Sequence, residues 1–312
     1  SDIRDSIVND YIAEDYFSAQ AGLAGSGSAL VNWIAGGNHA SRAKVAVLVH
    51  GNQANQPGSS TQRLINDQNG AGYHRVILGH EVFAQPLNLH ITPTLASSIE
   101  WARVDTNQGP FWVDGPAFNA WIAQLIQTNI IYLLASTYSD HMMPYFPTTF
   151  NHENIQEAGE VLSAIYGVTF TSNSVFWTPE RLFDEGVFSD VQAAGYHWTV
   201  IDQNTHLWNW FGRTDSLGEN GYSLNRIHGV GAFVINNLAT DFRFSNLDGG
   251  PNTSLRNLMS RRARGAWERL TTLFMNWEDF ASNSQADAYD RNLRWMANRP
   301  WIRMVGLEEI TT

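Results

Sequence analysis

The 312-residue chain contains no cysteine and a single lysine, Lys44. Without cysteine, neither a disulfide nor a thiolate metal site can form. No run of about 18 apolar residues is present, so no membrane-spanning helix is expected. The formal net charge of -11 argues against nucleic acid as a partner, because phosphate would be repelled over most of the surface.

Several catalytic motifs are also missing. The ten histidines include no pair spaced four residues apart, and no HExxH pattern is present, which weakens the case for a metal hydrolase. No GxSxG elbow lies between a predicted strand and helix. The glycine-rich stretch Gly25-Ser26-Gly27-Ser28 follows no strand, so a phosphate-binding loop is not indicated. We therefore expect neither a metal nor a cofactor.

Apolar runs of strand length alternate with segments of helical periodicity, and no hairpin is predicted. This order is typical of an α/β protein with a parallel, barrel-like sheet. Residues 1–42 are predicted to be an N-terminal helical extension, and residues 43–312 a single barrel domain. The predicted strands lie at 44–50, 87–92, 130–135, 175–178, 196–202, 230–236, 271–275 and 301–305, and the predicted helices at 93–101, 118–127, 151–166, 184–194, 255–269 and 284–298.

Glu180 is the strongest catalytic candidate. The apolar segment Val175-Phe176-Trp177 leads to Pro179, which cannot donate a hydrogen bond within a central ladder and so marks the end of a strand. Active sites of (β/α) barrels form at the C-terminal ends of the strands. Glu180 is thus placed where a nucleophile or an acid would act, although a surface Glu that helps to start a helix would give the same pattern.

Polar side chains also follow the other predicted strands. If the strands are parallel, these side chains lie on one rim, where two facing carboxylates would suit glycoside hydrolysis. Twelve tryptophans, many in polar surroundings, add modest support for a carbohydrate ligand. The rim set consists of His50, Gln53, Tyr138, His141, Glu180, Asp202, Asp241, Glu278 and Asp279.

Six of these segments resemble motifs of glycoside hydrolase family 57, over about residues 44 to 310. Trp177-Thr178-Pro179-Glu180 looks like the family's nucleophile motif and is the most specific match. His50-Gly51-Asn52-Gln53 is similar to the family's first motif, with Asn52 in place of the second His of that motif. The other similar segments are 89–95, 135–144 with one extra residue before His141, 241–245 with Thr240 where an Arg is expected, and 274–280.

The last motif departs from the family at the position of the general acid/base. The resemblance implies an Asp there, whereas this chain has Asn276. An amide cannot donate or accept the proton, so hydrolysis should be badly impaired if the alignment holds. Three interpretations remain open: the Asn was introduced deliberately to trap substrate, Asp279 or Glu278 has taken the acid role, or the protein binds glycans without cleaving them.

The resemblance implies an incomplete (β/α)7 barrel with helical additions. It further implies retaining hydrolysis or transglycosylation of α-linked glycans, with α-glucan as the expected oligosaccharide or polysaccharide partner. Glu180 would be the nucleophile. Sugar-binding candidates are His50, Gln53, His141, Asp241 and Glu278, with Trp177, Trp208, Trp210 and Trp277 for stacking. A metal-dependent polysaccharide deacetylase on a related barrel is the alternative enzyme class.

Overall fold

A computed structural model describes residues 43–52, 72–101, 114–202, 221–235, 270–281, 283–298 and 302–311. Within these ranges the strands are β1 Ala43–Gly51, β2 Leu87–Ile91, β3 Ile131–Leu133, β4 Val175–Trp177, β5 Trp198–Asp202, β6 Asn225–Ile227, β7 Val230–Ile235, β8 Leu270–Asn276 and β9 Ile302–Met304. The α-helices are α1 Gly72–Phe83, α2 Pro93–Trp101, α3 Gly115–Gln127, α4 Thr148–Tyr166, α5 Glu185–Ala193, α6 Asn283–Ala297 and α7 Glu308–Thr311.

Seven parallel strands form the wall of a barrel, in the order β3-β2-β1-β8-β7-β5-β4. A parallel bridge between Ala135 and Phe176 brings the two ends of this series together. At this seam the Ala135 amide donates to the Val175 carbonyl at 3.0 Å, and the Trp177 amide donates to the Ala135 carbonyl at 2.7 Å. Opposite the seam, β7 and β8 share the pair Ile235 and Thr272 within the described ranges. The predicted incomplete (β/α)7 barrel is therefore confirmed.

The prediction that the chain contains no hairpin is wrong. Strand β6 pairs antiparallel with β7 through a turn at His228 and Gly229, whose φ angles are 47° and 86°. Two successive positive φ values define the type I′ turn that matches the twist of paired strands. The Asn-Gly or Asp-Gly dipeptide that usually marks such a turn is absent here, because His fills the first position.

The barrel core follows from the alternation of side chains along each strand. In β1, the side chains of Ala46 and Leu48 face inward, where they pack in one cluster with Trp177, Val200 and Phe274. The alternate β1 residues lie in a second cluster with residues of the surrounding helices. Because both faces of the strands are covered, their sequences are almost continuously apolar.

Local capping signals explain why several helices begin and end as predicted. The Thr92 hydroxyl accepts from the Leu95 amide at 3.2 Å at the start of α2, where Pro93 is the first residue. Gly167 ends α4 in the left-handed conformation, with φ 68°. Helix α1 was not predicted, and the predicted helix at 255–269 lies outside the described residues. None of the helices in the described ranges is long and apolar enough to cross a membrane.

Candidate active site

Four stacked rings form the floor of the site inside the barrel. They come from β2, β1, β4 and β8, whose inward-facing side chains meet near the C-terminal ends of the strands. The His50 ring stacks on His90 and on Trp177 with centroid distances of 4.8 Å each, and Trp177 stacks on Phe274 at 5.4 Å. Trp177 is only 1% exposed, so its ring serves the floor and does not lie on an open surface.

The two histidines of this floor are neutral. Their Nδ1 atoms lie 2.7 Å apart, so one ring donates and the other accepts. Burial lowers the pKa of His50 to about 3, with the nearby Arg181 charge adding to the effect. Burial also lowers the pKa of His90, and the neighbouring His50 adds to this effect. The floor is therefore a polar but uncharged surface.

This burial predicts acid-sensitive stability. His50, His80 and His90 all have a lowered pKa in the folded protein, to about 3 for His50 and about 4 for His80. As the pH falls, the unfolded chain takes up protons first, near pH ~6.5. Stability is thus complete above that pH and is lost between about pH 6.5 and 4, at roughly 1.4 kcal/mol per pH unit per histidine.

Urea unfolding midpoints between pH 7.5 and 4.5 measure this slope. His50→Gln should flatten the slope by roughly 1.4 kcal/mol per pH unit, since it removes one of the three protonation sites. A slope that is the same in the parent and the His50→Gln variant would contradict the assignment of His50 as a buried neutral group.

Glu180 follows β4 in an unusual backbone conformation. Glu180 has φ 52° and ψ 10°, and Arg181 has φ 54°, so two consecutive residues with side chains occupy the left-handed region. Each such residue costs about 1 kcal/mol or more and persists where its surroundings fix it. The turn leaves the Glu180 side chain exposed at the rim.

Arg181 anchors this turn. Its Nη1 donates to Asp202 Oδ2 at 3.0 Å, and its Cζ lies 5.1 Å from the centroid of the Phe274 ring. Asp202 is the last residue of β5 and is 6% exposed, so the ion pair joins the turn to a buried carboxylate on the neighbouring strand. The guanidinium therefore ties the turn to the floor, while Glu180 remains open to solvent.

A second carboxyl group, which the sequence analysis missed, interacts electrostatically with Glu180. Asp140 follows β3, has φ 51°, and its Oδ2 accepts from the Asn52 amide at 3.0 Å. Burial raises the pKa of Asp140 to about 6; the charge of Glu180 adds to the rise and the Asn52 hydrogen bond opposes it. Asp140 lies five residues after the predicted strand 130–135, and Asn52 two residues after the predicted strand 44–50; their positions after strands were the available signal.

The residues of the 276–279 segment differ in how far they are buried. The Asn276 side chain is half-buried at the end of β8, and its Cα is paired in register with that of His50. The next residue, Trp277, is completely buried and stacks on Tyr73 of α1 at 3.9 Å. Glu278 is half-buried, and its charge adds to the effect of burial in raising the pKa of Tyr73, whereas Asp279 is exposed.

His141 supports the loop that carries Asp140. Its Nε2 lies 2.7 Å from Asn151 Oδ1, and its ring meets Phe146 and Phe150 edge-on. The structure thus brings His50, His141, Glu180 and Asn276 to the same end of the barrel. Four further predicted residues lie outside the described residues: Gln53, Trp208, Trp210 and Asp241.

The sequence model of glycosyl hydrolase family 57 matches residues 78–294. That range contains Asp140, Glu180 and Asn276 and covers more than half of the chain. The chain belongs to glycosyl hydrolase family 57. It matches no curated protein in sequence.

Solved structures share the fold at low sequence identity. A 4-α-glucanotransferase from Thermococcus litoralis has a TM-score of 0.63 at 11% identity over 86% of this chain, which spans only 40% of that protein. An α-amylase from Thermotoga maritima has a TM-score of 0.58 at 9% identity, covering 86% of this chain and 74% of that one.

A polysaccharide deacetylase described as putative, from Mycobacterium smegmatis, also shares the fold. Its TM-score is 0.52 at 10% identity, over 87% of this chain and 90% of that one. The barrel alone therefore does not separate glycosidase from deacetylase chemistry, which depends on the residues of the site.

Proposed function

We propose that this chain is a retaining glycoside hydrolase or transglycosylase acting on α-linked glucans, with Glu180 as its nucleophile. The observation that carries the proposal is the placement of Glu180: a solvent-exposed carboxylate at the C-terminal end of β4, on a left-handed turn, within the family 57 match. Strained backbone at a barrel rim is typical of a group held for chemistry. The glucan substrate is inferred from the glucanotransferase and amylase that share the fold.

In this mechanism the Glu180 carboxylate attacks the anomeric carbon and forms a covalent glycosyl-enzyme. A second carboxyl group protonates the leaving oxygen and then activates water or an acceptor sugar. Retaining enzymes place these two groups about 5 to 5.5 Å apart. By the family resemblance the second group belongs at position 276, where the amide of Asn276 cannot transfer a proton.

The neutral floor fits a sugar ligand. His50 is proposed to hydrogen-bond sugar hydroxyls, as are Gln53 and Asp241. His141 is assigned to supporting the loop that carries Asp140, because its Nδ1 lies 3.1 Å from Ser139 Oγ and its Nε2 lies 2.7 Å from Asn151 Oδ1. Because Trp177 and Trp277 are 1% and 0% exposed, we assign them to supporting the floor and keep Trp208 and Trp210 as the candidates for stacking.

Two rival functions make different predictions. The amide at position 276 favours a glycan-binding barrel without catalysis, which would bind α-glucan and leave it intact. A polysaccharide deacetylase would need a divalent metal; in the described ranges no group of three acidic or histidine side chains could hold one. Metal analysis of the purified protein, with activity measured before and after treatment with EDTA, tests the deacetylase directly.

The deciding experiment is incubation with maltoheptaose, amylose and α-glucosyl fluoride, with cellohexaose as the β-linked control. We expect cleavage or transfer on the α-linked substrates alone, insensitive to EDTA, with the α-anomer as the first product by proton NMR. A β-anomer as the first product would refute the retaining mechanism. Binding of amylose with no turnover of any substrate would support the non-catalytic rival.

A further inference from the structure

We propose that Asp140 is the proton donor and acceptor that works with Glu180, in place of any residue of the 276–279 segment. The inference rests on the proposed function and assigns the acid/base role that an amide at position 276 cannot perform. Asp140 and Glu180 lie on segments that leave neighbouring strands at one rim of the barrel, and their two carboxyl groups interact electrostatically.

The placement follows from the barrel seam. Asp140 lies on the segment that leaves β3, and Glu180 on the segment that leaves β4. The bridge between Ala135 and Phe176 makes these segments neighbours at one rim. Strand β8, which carries Asn276, is separated from β4 by β5 and β7 in the order of the ring.

The two carboxyl oxygens of Asp140 have different surroundings. The Asn52 amide donates to Oδ2 at 3.0 Å and fixes the plane of the carboxyl. The other oxygen, Oδ1, is buried and has no hydrogen-bond partner among the described residues. A buried polar atom without a partner is costly, unless a ligand supplies the missing hydrogen bond. The glycosidic oxygen of a bound glucan is the partner that we infer.

The protonation state of Asp140 suits both halves of the reaction. Burial and the Glu180 charge raise the pKa of Asp140 to about 6, so that about half of the carboxyl groups carry a proton at pH 6 and about a tenth at pH 7. Once Glu180 forms an ester with the sugar, it has no charge, and the pKa of Asp140 falls. Asp140 is thus an acid before the covalent intermediate and a base after it.

The two steps balance. In the first, a Glu180 oxygen bonds to the anomeric carbon, the glycosidic bond breaks, and the Asp140 proton moves to the leaving oxygen. In the second, the Asp140 carboxylate takes a proton from water or a sugar hydroxyl, whose oxygen bonds to the anomeric carbon as the bond to Glu180 breaks. Both carboxyl groups return to their starting states.

The carboxylates of the 276–279 segment are less well placed. Glu278 interacts with Tyr73, a completely buried residue of α1 in the helical layer outside the strands. Asp279 is exposed in the short 3-10 helix Trp277–Ala281, which packs against α1. Neither group lies on the segments that meet at the seam between β3 and β4, where Asp140 and Glu180 are found.

The test compares Asp140→Asn with the parent on maltoheptaose, which needs an acid for its leaving group, and on α-glucosyl fluoride, which does not. We expect Asp140→Asn to lower kcat/KM on maltoheptaose at least about 100-fold, as for loss of a general acid. The formation of glycosyl-enzyme from the fluoride should change less than about tenfold. Azide should then rescue turnover of the fluoride with α-glucosyl azide as product, since azide needs no general base.

Controls separate this role from a structural one. Glu157→Gln, which changes an exposed carboxylate on α4, should match the parent on both substrates. The melting temperature of Asp140→Asn at pH 8 should equal or exceed that of the parent, because a carboxyl with a raised pKa is destabilising when charged. Equal losses on both substrates without azide rescue, or no loss on either, would overturn the role of Asp140 and leave the proposed function intact. If the parent turns over neither substrate, the proposed function fails first.

Discussion

Glu180→Gln is expected to lower kcat on α-linked glucan by at least about 10⁴-fold, because removing a covalent nucleophile eliminates the step that all later steps require. The amide keeps the size and exposure of the side chain, so glucan binding should persist. Hydrolysis rates with maltoheptaose, together with isothermal titration calorimetry with the same oligosaccharide, measure the two effects separately.

Glu185→Gln provides the matched control. This residue lies five positions later, its side chain is 81% exposed, and the same change removes one negative charge from the same rim. Its activity should stay within about twofold of the parent, because its contact with His228, at 3.8 Å, joins two exposed side chains and contributes little. If Glu180→Gln keeps a tenth or more of the parent activity, Glu180 is not the nucleophile. The nucleophile would then have to be another carboxylate.

Asn276→Asp is expected to change activity little when Asp140 is present and to raise it strongly when Asp140 has been replaced by Asn. With Asp140 present, the added carboxyl should change kcat by less than about tenfold, because an acid/base group is already in place. In the Asp140→Asn background the same substitution should raise activity on maltoheptaose at least about 100-fold, since by the family resemblance position 276 is where an acid/base group is expected. A double-mutant cycle gives the coupling between the two positions.

Other results from these variants would change which residue is assigned the acid/base role. A gain of 100-fold or more from Asn276→Asp alone would show that position 276 is the acid/base site of this barrel and that Asp140 holds substrate instead. No gain in either background would indicate that an acid at position 276 cannot reach the glycosidic oxygen.

The sequence predicted the barrel because its strands are covered on both faces and bounded by clear caps. The continuous apolar run of β1, the Thr92 and Pro93 start of α2 and the Gly167 end of α4 each carry a local signal that tertiary contacts leave unchanged. The hairpin at His228 and Gly229 escaped prediction, because this turn lacks the Asn-Gly or Asp-Gly dipeptide by which such hairpins are recognised in a sequence.

The site was predicted less completely, for a physical reason. Glu180 is marked by its position after Pro179, which the sequence displays directly. Asp140 is distinguished only by what surrounds it: burial, the charge of Glu180 and the amide of Asn52, which lies 88 positions earlier in the chain. No local pattern encodes that environment. Likewise, the burial of Trp177 and Trp277 depends on rings contributed by other strands and by α1.

The seam between β3 and β4 has a consequence for how this barrel tolerates change over evolution. The segments that carry Asp140 and Glu180 are joined there by main-chain amides and carbonyls, which are the same whatever side chains accompany them. Neighbouring positions can therefore be substituted freely while the spacing of the two acids is inherited with the backbone. Solved barrels that share only 9 to 11% of their residues with this chain keep the same fold, as expected where main-chain bonds rather than particular side chains join the strands.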